Sequence, residues 1–359
     1  MSTVKQLAGL GQHIWLDNLS RTLVHEGTLA RLIAEDGVSG VTSNPAIFHN
    51  AVATSPYYAD DLARLKETEA DAERRYEALM IPDIQAACDL MHPVFERTHG
   101  DDGYVSLEVA PRWAYDAPRT VAEAQRLAAE VNRPNLLIKV PATPDGVNAF
   151  ETLTRMGINV NVTLLFSIAQ VERVFAAYIR GLAARTQAGE EIYHCKAVAS
   201  LFLSRVDTLI DQRLTEIGTP EADSLRGKAA LAMAKLCYRR YKILFNSDVF
   251  AGLHRLGART QFLLWASTGT KNPDYSDLLY VEPLIGPETI NTLPDKTLAA
   301  LRDHGHPALT VGKNMDGAAA HYRQLAALGI NMEQVGETLQ ADGVRLFEAS
   351  FEKLLALMM

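Results

Sequence analysis

The side chain best suited to covalent chemistry in this sequence is Lys139, which lies in the apolar run LLIKVP at 136–141. A charged amine in such a run is costly unless it is paired or neutralised. A lysine that desolvation keeps partly neutral can attack a carbonyl and form a Schiff base. For this segment taken alone, the commoner explanation is a lysine that reaches solvent or pairs with a carboxylate.

Two carboxylates make the catalytic explanation of Lys139 stronger. A Schiff-base aldol reaction needs a group that takes the proton from the hydroxyl beside the breaking C–C bond, and groups that move water and protons during imine formation. Asp17 and Glu108 each end a short apolar segment and suit these tasks. Each alone is more often a strand-end cap or an ion-pair partner. Their combination with Lys139 favours catalysis.

A phosphorylated substrate would also need cations and hydroxyls around its phosphate group. Arg205, Ser267 and Lys271 follow two later apolar segments and are candidates. The alternative for Arg205 is a local ion pair with Asp207, two residues further on.

Eight short apolar segments alternate with helical patterns and would position these side chains. The predicted strands are 13–17, 40–43, 104–109, 136–140, 158–163, 196–203, 261–266 and 278–284, and helices are predicted at 121–131, 169–184 and 222–241. Eight strands separated by helices predict a (β/α)8 TIM barrel, in which reactive residues gather at the C-terminal strand ends. A doubly wound sheet is the competing arrangement. The polar candidates do follow the strands in this way.

We expect one barrel domain over 1–359, with additional C-terminal helices from about 287 to 359. Residues 332–359 carry apolar side chains at helical spacing. Such a face on a final helix usually packs against its own domain, and a partner interface is the less common alternative.

Composition narrows the classes of partner. The 359 residues carry a net charge of −8, from 43 acidic and 35 basic residues, which disfavours nucleic acid and anionic membranes. Three widely spaced cysteines and no signal-peptide pattern predict a cytoplasmic protein. The sequence lacks a P-loop and a complete dinucleotide fingerprint, and its His and Cys pairs offer only two ligands each. We therefore expect no metal and no cofactor.

Six segments, taken in order along the whole chain, resemble the transaldolase family. They are WLD at 15–17, VTSNP at 41–45, SLEV at 106–109, IKVPAT at 138–143, GINVNVTLLFS at 157–167 and SRVD at 204–207. The length and the segment WASTGTKNP at 265–273 are similar to the longer bacterial form. The resemblance implies a class I aldolase-type barrel with the Schiff-base lysine on the fourth strand.

The resemblance also implies a role for each matching residue. Lys139 would form the imine, Asp17 would act as acid and base in C–C cleavage, and Glu108 and Thr163 would hold the catalytic water. Three residues would bind the dihydroxyacetone unit: Asn44, Asn161 and Ser200. Arg205 and Ser267 would hold the phosphate. Shorter members of the family have an arginine where this chain has Gly269, and Lys271 is our candidate replacement.

The implied reaction moves a dihydroxyacetone unit from a ketose phosphate to an aldose phosphate in the non-oxidative pentose phosphate pathway. The substrates are sedoheptulose 7-phosphate or fructose 6-phosphate as donor and glyceraldehyde 3-phosphate or erythrose 4-phosphate as acceptor. One alternative is a fructose 6-phosphate aldolase that releases free dihydroxyacetone; that relative has a tyrosine where this chain has Phe202. The other is a catalytically silent sugar-phosphate-binding barrel. The sequence does not fix the oligomeric state, and a homodimer is compatible with it.

Overall fold

The computed structural model describes residues 2–359, and its centre is a closed barrel of eight parallel strands in sequential order. Each strand pairs with its neighbours in the chain, and β1 pairs with β8 to close the barrel. The strands are β1 (Gln12–Asp17), β2 (Gly40–Thr42), β3 (Tyr104–Glu108), β4 (Leu136–Pro141), β5 (Val160–Leu165), β6 (Ala197–Phe202), β7 (Phe262–Ala266) and β8 (Thr289–Leu293). The predicted (β/α)8 barrel is confirmed, and the doubly wound sheet is wrong.

The helices surround the barrel and connect its strands. They are α1 (Thr3–Gly9), α2 (Arg21–His25), α3 (Thr28–Arg31), α4 (Pro45–Thr54), α5 (Ala59–Thr68), α6 (Ala72–Arg97), α7 (Ala117–Val131), α8 (Pro144–Met156), α9 (Ile168–Gln187), α10 (Ser204–Ile217), α11 (Pro220–Asp223), α12 (Ala229–Phe245), α13 (Asp248–Arg255), α14 (Asp295–His304), α15 (Met315–Ala327) and α16 (Met332–Met358). None of these helices combines the length and the apolar character that crossing a membrane requires.

The prediction of the eighth strand at 278–284 was wrong. That segment is buried but forms turns, including a short 3-10 helix at Glu282–Leu284. The true strand, Thr289–Leu293, reads TINTL and is more than half polar. Its polar residues face interior groups: Asn291 Nδ2 donates to the carbonyl of Tyr280, and Thr292 reaches the mouth of the barrel. The helical part of the C-terminal extension therefore begins only at Asp295.

A single helix over 222–241 was also wrong, because the chain turns between α11 and α12. Gly227 has a φ of +69°, and a Cβ there would lie 2.8 Å from the ring of Tyr275. Its N–H donates to Asp211 Oδ1 at 2.8 Å. A left-handed residue fixed in this way ends one helix and separates it from the next.

The final helix, α16, packs on its own barrel, as predicted. It contacts α4, α6 and β5, and the rings of Phe351 and Tyr76 meet edge to face with centroids 5.6 Å apart. Two glycines allow the close approach: a Cβ on Gly336 would lie 2.6 Å from Ser167, and one on Gly343 would lie 2.9 Å from Leu164. The helix thereby covers part of the C-terminal face of the barrel.

Candidate active site

Lys139 lies at the centre of the C-terminal face, where its side chain is only 7% exposed. In the barrel register it stands beside Glu108 of β3 and Asn161 of β5. Its Nζ forms an ion pair with Glu108 and donates to the carbonyl oxygen of Ser43 at 2.9 Å. The carboxylate partner expected of a structural lysine is therefore present, so a catalytic role depends on what else the amine faces.

The amine faces a cavity of about 290 Å³ at the barrel mouth. Eight of the predicted site residues line this cavity together: Asp17, Asn44, Lys139, Thr163, Ser200, Phe202, Arg205 and Ser267. They come from β1, β4, β5 and β6 and from the segments that follow β2, β6 and β7. The chain thus brings residues up to 250 positions apart around one lysine, as C-terminal strand ends of a barrel do.

Asp17 ends β1 and shares this cavity with Lys139. Its Oδ1 accepts a hydrogen bond from Thr42 Oγ1 at 2.7 Å. Burial raises the pKa of Asp17, while the charge of Lys139 opposes that rise. A carboxyl with a raised pKa is suited to both accepting and returning a proton near neutral pH.

Glu108 does not line the main cavity; it lies on the other side of the Lys139 amine. Burial raises the pKa of Glu108, and Lys139 opposes this as well. A second cavity of about 20 Å³ has Glu108, Lys139 and Thr163 in its wall. That volume suffices for one water molecule. Thr163 Oγ1 is buried there without a hydrogen-bond partner among residues 2–359.

Asn161, predicted to touch substrate, lies one layer below the cavity. Its Oδ1 accepts from Ser200 Oγ at 2.6 Å, and its Nδ2 donates to Ser106 Oγ at 3.1 Å. Both ends of the amide are therefore engaged, and only Ser200 of this pair reaches the cavity. Asn44 does line the cavity while its Oδ1 caps α4 by accepting from the N–H of Ile47 at 3.0 Å.

Arg205 is the cation of the cavity wall on the side of β6. The local ion pair with Asp207 is absent, because Asp207 instead accepts from Tyr280 Oη and from the N–H of Ala230, both at 2.8 Å. Arg205 Nη1 is buried without a hydrogen-bond partner in the described chain, and burial lowers the pKa of Arg205. Such a group is available to an anion that enters the cavity.

The other two candidates for the phosphate site differ in position. Ser267 lines the cavity, and its Oγ is 2.7 Å from Ser204 Oγ. Ser267 directly follows β7 and has a φ of +54°, a backbone conformation that L residues seldom adopt. Lys271 is exposed and lies outside the cavity wall. The charge of Lys271 nevertheless opposes the rise in the pKa of Asp17, so Lys271 is within electrostatic reach of the site.

Sequence reasoning missed the part of α16 that closes the site. Leu346, Phe347 and Ser350 line the cavity from above. Gln340 fixes this helix, because its Nε2 donates to the carbonyls of Ala142 at 2.9 Å and Leu164 at 3.0 Å. The available signal was a glutamine at helical spacing from the apolar residues Val344 and Phe347.

The described residues contain one group of carboxylates close enough together to bind a metal ion, formed by Glu73, Glu77 and Glu123. Arg126 forms ion pairs with Glu77 and Glu123 and a further one with Glu130 at 2.9 Å. Arg112 Nη2 pairs with the third carboxylate, Glu73, at 2.6 Å. The two arginines already compensate the group, which lies outside the cavity that contains Lys139.

Comparison with known proteins identifies the family. Residues 14–358 match the family model described as "Transaldolase/Fructose-6-phosphate aldolase". The chain belongs to this family. It is 64% identical to the transaldolase of Thiobacillus denitrificans over 356 residues, which cover 99% of both chains. The transaldolase of Neisseria gonorrhoeae is 49% identical over 99% of both chains, and that of Thermobifida fusca is 46% identical over 99% of this chain and 96% of that protein.

These similarities make the chain an enzyme of the transaldolase type, as the sequence motifs predicted. The relatives match at nearly full length, so the similarity includes β1 and α16, which lie near the two ends of the chain and both contribute to the site. The cavity around Lys139 is therefore the candidate active site of a transaldolase-family barrel.

Proposed function

We propose that Lys139 forms a Schiff base with the ketone of a ketose phosphate. The observation that supports this most strongly is the position of its amine, between the main cavity with Asp17 and the water-sized cavity with Glu108 and Thr163. Nζ passes a proton to its ion-pair partner Glu108 and adds to the C2 carbonyl, and the resulting carbinolamine takes this proton on its oxygen and loses it as water. The protonated imine then draws electrons from the C3–C4 bond.

Asp17 takes the proton of the C4 hydroxyl while the C3–C4 bond breaks. The electron pair of that bond moves into the imine and leaves a three-carbon enamine on Lys139, and the aldose phosphate departs. In the second half of the reaction the enamine carbon attacks the aldehyde of the acceptor, and Asp17 returns its proton to the new hydroxyl. The Thr42 hydrogen bond keeps the carboxylate aimed at this position.

Glu108 and Thr163 hold the water that enters and leaves during imine hydrolysis and formation. The unpartnered Thr163 hydroxyl and the buried Glu108 carboxylate border the same small cavity as the amine. A water there contacts both groups at once, and Glu108 accepts its proton when water attacks the imine carbon.

The remaining polar groups bind substrate. Asn44 donates to the hydroxyls of the dihydroxyacetone unit, Ser200 Oγ accepts from them, and Asn161 orients Ser200 from below. Arg205 and Ser267 hold the phosphate group, since both line the cavity and Arg205 has an unpaired nitrogen. Lys271 contributes its charge from outside the wall.

We propose that the enzyme transfers dihydroxyacetone from sedoheptulose 7-phosphate or fructose 6-phosphate to glyceraldehyde 3-phosphate or erythrose 4-phosphate, in the non-oxidative pentose phosphate pathway. Phe202 supports transfer over release, because a phenyl ring has no hydroxyl that could protonate the enamine. The ring lies in the cavity wall, 5.2 Å from the ring of Phe166 and 5.7 Å from the Arg205 guanidinium carbon.

An acceptor-dependence assay tests this proposal. The enzyme is incubated with fructose 6-phosphate, with and without erythrose 4-phosphate, and free dihydroxyacetone is measured. We expect sedoheptulose 7-phosphate with the acceptor and only traces of dihydroxyacetone without it, and Phe202→Tyr should increase that release. Rapid release by the unchanged enzyme would show it to be an aldolase instead.

We also propose that residues 1–359 form one domain, since the barrel and α16 share a single continuous core. Three buried free cysteines support the predicted cytoplasmic location, where thiols stay reduced. The homodimer and the lack of nucleic-acid partners stay predictions from the sequence.

A further inference from the structure

A polar cavity distinct from the two cavities beside Lys139 lies on the outside of the barrel, between α12 and α15. Its volume is about 430 Å³, and it shares no residue with the active-site cavity. Polar groups in its wall include Ser224, Lys228, Lys235, Asn314, His321 and Gln324. The wall contains two lysines and no carboxylate, in a chain whose net charge is −8. Such an excess of positive charge points to an anion.

His321 is the polar side chain buried most deeply in this wall. The residue is only 7% exposed, and its Nε2 is buried without a hydrogen-bond partner among residues 2–359. Burial lowers the pKa of His321, and the neighbouring charge of Lys228 lowers it further. A buried polar nitrogen that lacks a partner is costly, so its retention in the wall of a cavity indicates a ligand atom that completes it.

The N-terminus of α15 opens into the same cavity. Asn314, Gly317, Ala318 and His321 all line it, so one face of this 13-residue helix is turned towards it from its first turn onwards. Asn314 precedes the helix with a φ of +56° and makes no side-chain cap. The first N–H groups thus lack the acceptor that a capping side chain supplies, and together with the helix dipole they favour an anion. Asp316, in the same turn, is exposed and is not part of the wall.

Among residues 2–359, neither lysine of the wall has a carboxylate partner. Lys235 Nζ donates to the backbone carbonyls of Thr310 at 2.8 Å and Lys313 at 2.9 Å, and Lys228 Nζ donates to that of Ser224 at 2.7 Å. These bonds orient the ammonium groups and leave their charge uncompensated. Lys235 Nζ also donates to the carbonyl of Val311 at 3.4 Å, so this lysine contributes its charge alone. Lys228 has donor capacity left, since an ammonium group carries three donors.

We propose that this cavity binds a phosphate group, either as inorganic phosphate or as the phosphate of a small metabolite. A phosphate dianion offers enough acceptor oxygens to engage the Lys228 ammonium group, the His321 imidazole and the N-terminus of α15 together, while the charge of Lys235 attracts it. The volume leaves room for a small organic part beyond the phosphate. The site is separate from the one proposed for Arg205 and Ser267, so the enzyme would bind phosphate at two places.

NMR on the full-length protein labelled with 15N-histidine tests this. The imidazole signal of His321 is assigned by its loss in His321→Gln, and inorganic phosphate or glucose 6-phosphate is titrated at constant ionic strength. We expect a saturable shift of this signal, which Lys228→Gln weakens about tenfold by loss of one charge-assisted contact. Lys66→Gln, an equal charge change on exposed α5, should leave the affinity unchanged. Tighter binding of glucose 6-phosphate would identify a metabolite, and equal affinity would identify phosphate alone.

The Arg205→Ala variant separates this site from the active site. The His321 response should persist in that variant at the same affinity, even though substrate binding is impaired. A response that disappears with Arg205, or the lack of a saturable shift with either probe, would overturn the proposal. Because the readout is the imidazole signal and not turnover, its outcome is independent of the proposed transaldolase reaction.

Discussion

Gln340 attaches α16 to the barrel through two buried hydrogen bonds. Gln340→Leu keeps the volume of the side chain but removes the Nε2 donor that joins the carbonyls of Ala142 and Leu164. Both carbonyls lie in the buried interface beneath the helix. An orphaned buried carbonyl costs about 1–3 kcal/mol, so we expect the free energy of unfolding to fall by about 2–4 kcal/mol. Leu164 has a φ of +61°, and the loss of its partner also frees a strained strand end beside Thr163.

Urea denaturation and steady-state kinetics together measure this effect. We expect a lower unfolding midpoint and a lower kcat/KM, because Leu346 and Phe347 of the same helix form part of the cavity wall. Gln334→Leu is the matched control, since it makes the same change at an exposed position of α16. If Gln340→Leu and Gln334→Leu were equally stable to within about 0.5 kcal/mol, the idea that Gln340 fastens the helix would be refuted.

The other predictions concern the lysine, the water site and a buried carboxyl. Lys139→Ala should abolish turnover and leave a folded barrel by circular dichroism; near-normal activity would exclude the Schiff base. Thr163→Val, which removes an unpartnered buried hydroxyl, should slow imine formation in rapid-mixing experiments without lowering stability; an unchanged rate would remove Thr163 from the water site. Burial raises the pKa of Asp207 to about 6 from an ordinary 3.8, so folding takes up a proton between about pH 4 and 6; stability falls as the pH rises through that range and stays lower above it. Asp207→Asn should therefore stabilise the protein at pH 7.5 by up to about 3 kcal/mol and have little effect near pH 4, as thermal unfolding at the two pH values would show; equal effects at both would contradict the raised pKa.

The sequence predicted the barrel and most of the active site because strand ends leave a local signature. An apolar run that ends in a polar residue marks a C-terminal strand end, and a parallel barrel gathers these ends on one face. That was enough to place Asp17, Lys139 and Thr163 around a common space. The family motifs then supplied the role expected of each residue.

What the sequence could not supply depends on contacts between distant segments. Residues 278–284 have the composition of a strand, but Tyr280 instead donates from its hydroxyl to Asp207 on α10. The same bond engages Asp207, the ion-pair partner that was the alternative for Arg205, and no rule of sequence spacing could show this. Asn161 was expected in the cavity, and only the packing of β5 against β6 reveals that it lies below the cavity and is bonded to Ser200.

The central claim, that Lys139 is the Schiff-base lysine, is tested most directly by reductive trapping. The enzyme is treated with borohydride in the presence of fructose 6-phosphate, and its peptides are analysed by mass spectrometry. Lys196 provides an internal comparison, because it is a second buried lysine of the barrel whose Nζ is paired with Asp101 at 2.6 Å and lies outside the cavity. We predict a three-carbon or six-carbon adduct on the peptide that contains Lys139 and none on the peptide that contains Lys196. A substrate-dependent adduct on another lysine, or none on Lys139 while substrate still binds, would contradict the account.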